Sequence, residues 1–230
     1  MDILQSKLNF LLDKYSVDTK AVLKDHNIVV IDNVELPLLS HRCERRFVEL
    51  KNIANNGTLV GISVMRVARI IEKGSDIYEA LYRELDLCEY ILQRKIQTIM
   101  VMENGNVLNA IAKAENEIVC TIEIAATLEA GEIPKDKHEN ISKRGIACDV
   151  VVDAQLKQDS IYIFGKENQK YTDVDFELYG LSIEDIAVVR AAFAIAQNKN
   201  NEEILAIDEH LKQLVALAKK SAQTGEREAI

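Results

Sequence analysis

Within residues 74–92, GSDIYEALYRELDLCEYIL, the side chains of Glu79, Tyr82, Arg83 and Asp86 are spaced to share one side of a helix. At about 100° per residue, Glu79 to Arg83 is an i,i+4 pair and Arg83 to Asp86 an i,i+3 pair. A guanidinium then falls between two carboxylates, with the phenol of Tyr82 beside it. Such a set suits a hydroxylated or carboxylated ligand, because carboxylates accept from hydroxyls and the arginine fork donates to a carboxylate. The same pattern also describes a solvated, salt-bridged surface. The opposite arc, Ile77, Leu81, Leu85, Cys88, Ile91 and Leu92, reads as core.

A second set lies in KDKHENISKR, residues 135–144. Lys137, His138 and Arg144 could handle an anionic substrate, with His138 as acid or base. The plain alternative is a solvent loop. Asp149 and Asp153 flank a strand with no evident partner. Cys43, Cys88, Cys120 and Cys148 are far apart and form no CxxC, so neither a disulfide framework nor structural zinc is expected. His41 and Cys43 with His138 match no metal-ligand spacing, and no metal is expected.

These side chains need elements to hold them. A helix is expected over 3–15, then a short second helix capped by Asp18 or Thr19 and ending near His26. Residues 27–31, NIVVI, read as a buried strand, 40–54 as an amphipathic helix closed by Asn55-Asn56-Gly57, and 59–67 as a strand. Ser75 is the expected cap of the two-faced helix. From Ile96 the period becomes two: 96–102, 106–114 and 117–128 read as an antiparallel meander joined by polar turns. Further strands are expected over 146–152, 160–164 and 171–178. Ser182 with Asp185 begins a helix reaching about Gln197, and a last helix covers about 201–221. The class is α+β: one large, mostly antiparallel sheet with helices packed on one face, after a short N-terminal helical/βα segment. Residues 1–45 form that segment and 46–230 the sheet domain.

Composition excludes several roles. With 230 residues, 48% of them hydrophobic, the chain can bury a substantial core. No apolar run approaches the ~20 residues that span a bilayer. The N-terminal MDILQSKLNFLLDKY places Asp2 ahead of an amphipathic pattern and lacks a small-residue cleavage site, so a cytoplasmic location is expected. A formal charge of -9 with dispersed basic residues argues against a nucleic-acid partner.

The order of elements resembles the glucose-fructose oxidoreductase/inositol dehydrogenase family of two-domain nicotinamide-dependent enzymes. RFVELKNIANNGTLVGISVMRV, residues 46–67, looks like the helix, glycine turn and strand that open that family's substrate domain. LYRELDLCEYIL, residues 81–92, is similar to its helix of catalytic side chains. NVLNAIAKAENEIVCTIEIAATL, residues 106–128, resembles its sheet hairpin, and SAQTGE, residues 221–226, its C-terminal ending.

The departures carry as much information. None of the nine glycines forms the GxG spacing of a dinucleotide-binding turn, and the residues ahead of Arg46 are too few for a Rossmann domain. Where the family carries Asp and, four residues later, a proton-accepting His, this chain has Glu79 and Arg83 if Asp86 matches the next acidic position. Arginine stays protonated and makes a poor base. In place of the family's Glu-Lys-Pro turn stands Glu35-Leu36-Pro37. The resemblance therefore implies an oxidoreductase-like domain that binds a carbohydrate-like ligand or a separate nucleotide-binding subunit rather than transferring hydride alone. No cofactor is expected on this chain by itself, with NAD or NADP only where a partner domain supplies the site. Homo-oligomerisation through the sheet is also implied, and a non-catalytic dimerisation or structural domain is the alternative.

Overall fold

The computed structural model describes residues 1–149, 160–164, 169–172, 175 and 177–230. Its elements begin with α1 (Asp2–Lys14), β1 (Ala21–Leu23), β2 (Ile28–Ile31), β3 (Val34–Pro37) and α2 (Arg45–Asn55). Then come β4 (Ile62–Glu72), α3 (Ile77–Leu92), β5 (Ile96–Asn104), β6 (Val107–Ala114) and β7 (Val119–Leu128). The rest are β8 (Lys135–Ser142), β9 (Gly145–Asp149), β10 (Ser160–Phe164), β11 (Gln169–Thr172), α4 (Ile183–Asn198), α5 (Asn201–Thr224) and β12 (Glu228–Ala229).

The chain forms two compact units, Met1–Arg45 with Val174–His210, and Arg46–Asp173 with Leu211–Ile230. In the first, β1, β2 and β3 make a three-stranded antiparallel sheet. Its inward residues Leu23, Val29, Ile31 and Leu36 join Leu4, Leu8 and Leu11 of α1 and Val188, Val189 and Ala192 of α4 in one apolar cluster. The helix expected to end near His26 is instead β1. Ala21 and Leu23 are buried and Val22 is exposed, a period of two, and Asp25 turns the chain by accepting the Asn27 N–H at 2.7 Å. α4, assigned by sequence to the sheet domain, packs in this first unit. Its cap is as expected, with Ser182 Oγ accepting the Asp185 N–H at 3.1 Å.

The second unit is built on a nine-stranded sheet, order β11-β10-β9-β8-β4-β7-β6-β5-β12. Every neighbouring pair is antiparallel except β4–β7, which is parallel, so the α+β class and the mostly antiparallel sheet hold. The β5–β6–β7 meander forms as its polar turns require. One face is covered: α3 packs on β7 and β6, over Val67, Ala110, Ala112, Cys120 and Ile122, all fully buried. Ser221, near the end of α5, accepts the Val101 N–H at 3.0 Å and donates to the Glu226 carbonyl, which ties the chain's end to the edge of the sheet.

Several local expectations shift. Residues 40–54 divide into a 3₁₀ turn over Ser40–Cys43 and α2. β4 starts and ends later than expected, and α3 is capped by Asp76, not Ser75, through the N–H groups of Tyr78 and Glu79. Residues 135–142, expected in a loop, are strand β8, paired with β4 on one side and β9 on the other. Parts of the strands expected over 146–152 and 171–178 lie outside the described residues, as does Asp153; within the described part, Leu178 sits in a turn.

Candidate functional site

The strand pattern of β8 decides where its side chains go. Asp136, His138 and Asn140 point to the helix-covered face, and Lys137 and Glu139 to the other. Register then sets Arg69 of β4 opposite Asp136, and Asp149 of β9 opposite His138. From the helix layer α3 brings Arg83 and Glu84, and α2 brings Arg46 and Phe47. Seven ionisable groups from five elements meet under Phe47, which is itself fully buried.

His138 is the centre and has no solvent exposure. Its Nδ1 lies 2.8 Å from Asp149 and its Nε2 2.7 Å from Glu84, while its backbone N–H also donates to Asp149. Phe47 presents its ring edge-on at 4.7 Å between centroids. Burial alone would discharge the imidazole. Asp149 and then Glu84 outweigh it and hold the pKa up at about 10. At neutral pH both ring nitrogens therefore carry protons, and both donate.

The carboxylates are held just as firmly. Asp136 receives a two-pronged bond from Arg46, at 2.6 and 3.0 Å, and single bonds from Arg69 at 3.1 Å and Arg83 at 3.4 Å. Glu84 accepts from Arg83 at 2.6 Å and lies 3.4 Å from Arg69. Arg46 also reaches Asp149 at 3.1 Å. Burial would raise both Asp136 and Glu84, but Arg46 for the one and Arg83 for the other, with His138, leave each well below the carboxylate range. The guanidinium of Arg46 stacks 4.3 Å from the Phe47 ring centre. The side chains of Arg46, Arg69 and Arg83 keep 13–17% exposure, so the arginines form the rim of a buried core.

Chemically this is a closely paired ion network, in which Arg69 Nε is left buried without a hydrogen-bond partner. A general base needs a free lone pair near neutral pH; the His138 nitrogens are protonated donors and the carboxylates are neutralised by guanidinium. Asp136, His138 and Asp149 stand close enough to share a cation. The donor set does not fit one, because the arginines and the imidazolium already occupy the oxygens that a metal would bind.

Of the residues singled out by sequence, Arg83 and His138 come together, bridged by Glu84. Asp86 is on the same helix and fully buried. Tyr82 is half-buried and Glu79 exposed. The helix thus has no broadly solvated second face, since Glu84 through Glu89 are buried without a break. Lys137 is separated from His138 by the sheet itself and pairs with Glu139 at 2.7 Å on the open face. Arg46, Arg69, Glu84, Asp136 and Asp149 were missed. The available signal was the alternation Lys135-Asp136-Lys137-His138, which has the period of a strand but lacks the apolar residues by which strands are usually recognised.

The sequence matches no protein-family model and no curated protein. Solved structures do share the fold. An oxidoreductase from Agrobacterium radiobacter, in complex with NAD+, L-tartaric acid and magnesium, aligns with a TM-score of 0.65 at 13% identity, covering 84% of this chain and 64% of its own. An inositol dehydrogenase homolog from Azotobacter vinelandii, complexed with NADH and myo-inositol, aligns at 0.60 and 14% identity, covering 84% and 63%. The super-repressor mutant of Gal80p from Saccharomyces cerevisiae aligns at 0.62 and 11% identity, covering 84% and 64%. This chain therefore has the fold of oxidoreductase and dehydrogenase chains, and spans somewhat less than two thirds of their length.

Proposed function

We propose that this chain is an oxidoreductase-like domain, related to sugar or polyol dehydrogenases, that binds and assembles rather than transfers hydride by itself. The clamp on His138 carries this reading: the one histidine at the centre of the sheet is a doubly bonded imidazolium with no lone pair to accept a substrate proton. Any nicotinamide cofactor comes with a separate nucleotide-binding partner. The ligand is carbohydrate-like, a polyol or hydroxy acid, met at the exposed edges of Arg46, Arg69 and Arg83; the tartaric acid and myo-inositol of the similar structures belong to that class. The proposed setting is the cytoplasm, where four free cysteines stay reduced.

The test is a fluorescence titration of NADH and NADPH against the purified chain, with dehydrogenase assays on polyols and sugar acids. The expected result is neither binding nor turnover until a nucleotide-binding partner is added. Saturable cofactor binding by the chain alone overturns the reading.

A second reading, a structural dimerisation domain, draws on the open face of the sheet. Ile70, Met102, Val107, Ile111 and Ile146 are exposed there, interleaved with Arg66, Lys113, Glu123 and Lys137. A face carrying both charge signs among apolar residues can meet a second copy of itself about a two-fold axis. Light scattering gives the solution mass, and a strict monomer across the micromolar range removes this reading.

A further inference from the structure

Three guanidiniums converge on one carboxylate at the rim of the ion network. Asp136 accepts from Arg46 at 2.6 and 3.0 Å, from Arg69 at 3.1 Å and from Arg83 at 3.4 Å. Arg69 of β4 stands out by how little of its donor set is used. Its Nη1 faces both Asp136 and Glu84, at 3.1 and 3.4 Å. Its Nε is buried and has no hydrogen-bond partner. Nη2 has none either, but it is not sealed from solvent, on a side chain that keeps 16% exposure.

Nε–H and the outward N–H of Nη2 lie on one edge of the guanidinium plane and point the same way. That edge is an open two-pronged donor, with one prong already stripped of water. A buried N–H left without an acceptor is destabilising, and native proteins keep few of them. A water oxygen can take one prong, whereas a carboxylate takes both in the parallel geometry that arginine favours. The surroundings do not repel an anion, because four of the seven ionisable groups here are cations: Arg46, Arg69, Arg83 and His138.

We propose that the Nε/Nη2 edge of Arg69 is an oxyanion subsite for the carboxylate of a small hydroxy acid, so that the chain selects sugar acids over neutral polyols. This rests on the reading that the chain binds a carbohydrate-like ligand, and it narrows the class of that ligand. Asp136 prepares the subsite: by holding Nη1 it fixes the plane of the guanidinium and leaves the other edge to the incoming group. The carboxylate arrives from solvent at Nη2, and a small rotation about the outer bonds of the Arg69 side chain brings Nε to its second oxygen.

The experiment uses the full chain, nitrogen-labelled, and follows the arginine Nε–H signals in a proton–nitrogen correlation spectrum as D-gluconate is added. D-Glucitol, which carries a hydroxyl group in place of the carboxylate, is the neutral counterpart. R69K identifies the Arg69 signal by its loss, and it keeps the charge while removing the fork. The expected result is a saturable shift of that signal with gluconate and at least about tenfold weaker binding of glucitol. Gluconate affinity should fall by a similar factor in R69K, while K137A, on the other face of the sheet, leaves the gluconate curve unchanged. Thermal unfolding checks that R69K is folded; if it is not, the wild-type preference for gluconate over glucitol, read by calorimetry, decides alone. Equal affinity for the two ligands, or a gluconate curve unchanged in folded R69K, overturns the subsite and leaves the broader reading in place. Binding of neither ligand overturns the subsite and the carbohydrate-like ligand together.

Discussion

In the first unit α1, the small sheet and α4 meet through side chains such as Leu8, Leu11, Val29 and Val189, all fully or almost fully buried and all hydrocarbon. In the second, the layer between helices and sheet holds Leu81, Leu85 and Ile122, but also Glu84, His138 and Asp149, at exposures of 0–3%. Apolar contact is non-directional and graded, and neighbours relax partly around a lost methyl group. The ionic layer is conditional: it is tolerable only while each charge keeps its partners, because an uncompensated buried ion costs far more than the complete set contributes. The same depth of burial thus gives two different responses to damage.

The sharpest way to break the comparison is His138→Ala. It leaves Glu84 and Asp149 facing each other with less positive charge, and urea denaturation is expected to show a loss of about 3–5 kcal/mol. Changing pH separates the regions without mutation. His138 has a folded pKa of about 10 against an ordinary 6.5, so its contribution is fully present below pH 6.5 and lost as pH rises through 10. Glu84 and Asp136 are depressed, so theirs is present above about pH 4.5 and lost on acidification. The urea midpoint should accordingly peak between these limits, and an alkaline limb that survives in His138→Ala would assign it to other groups. Leu8→Ala, in the apolar unit, is expected to cost about 3 kcal/mol while leaving the shape of the pH profile unchanged.

Smaller effects test the rims. Asp76→Ala removes the cap that accepts two N–H groups at the start of α3, and thermal or urea unfolding should register about 1 kcal/mol. Lys137→Ala breaks a pair whose lysine is exposed and whose Glu139 is half-buried, and stability should move by less than about 0.5 kcal/mol. A larger change there would point to a contact on that face beyond the chain itself.

Much of the frame was legible in the residues. The apolar arc of α3, the polar turns of the meander and the Ser182 cap are local signals, set by side-chain period and by donors and acceptors a few residues apart. β1 was not legible, because three residues are too few for their alternation to be told from a helix in the sequence, and the strand exists through pairing with β2. The site was half legible. Arg83 and His138 stood out as residue types, but Glu84 was passed over although, at about 100° per residue, it falls inside the apolar arc between Ile77 and Ile91. Asp149, lacking any partner nearby in sequence, gave no sign of its role.

The sequence by itself determined that an α+β chain with a large, mostly antiparallel sheet would form, and that no glycine-rich cofactor turn is present within it, since both follow from local patterning and residue counts. Only the tertiary structure decided that Lys137 and His138 lie on opposite faces, that Arg83 serves Glu84 and Asp136, and that His138 is an imidazolium. Strand register set those relations: positions 53 to 103 residues apart in the chain became hydrogen-bond partners, and a histidine takes its charge from the carboxylates that register brings to it.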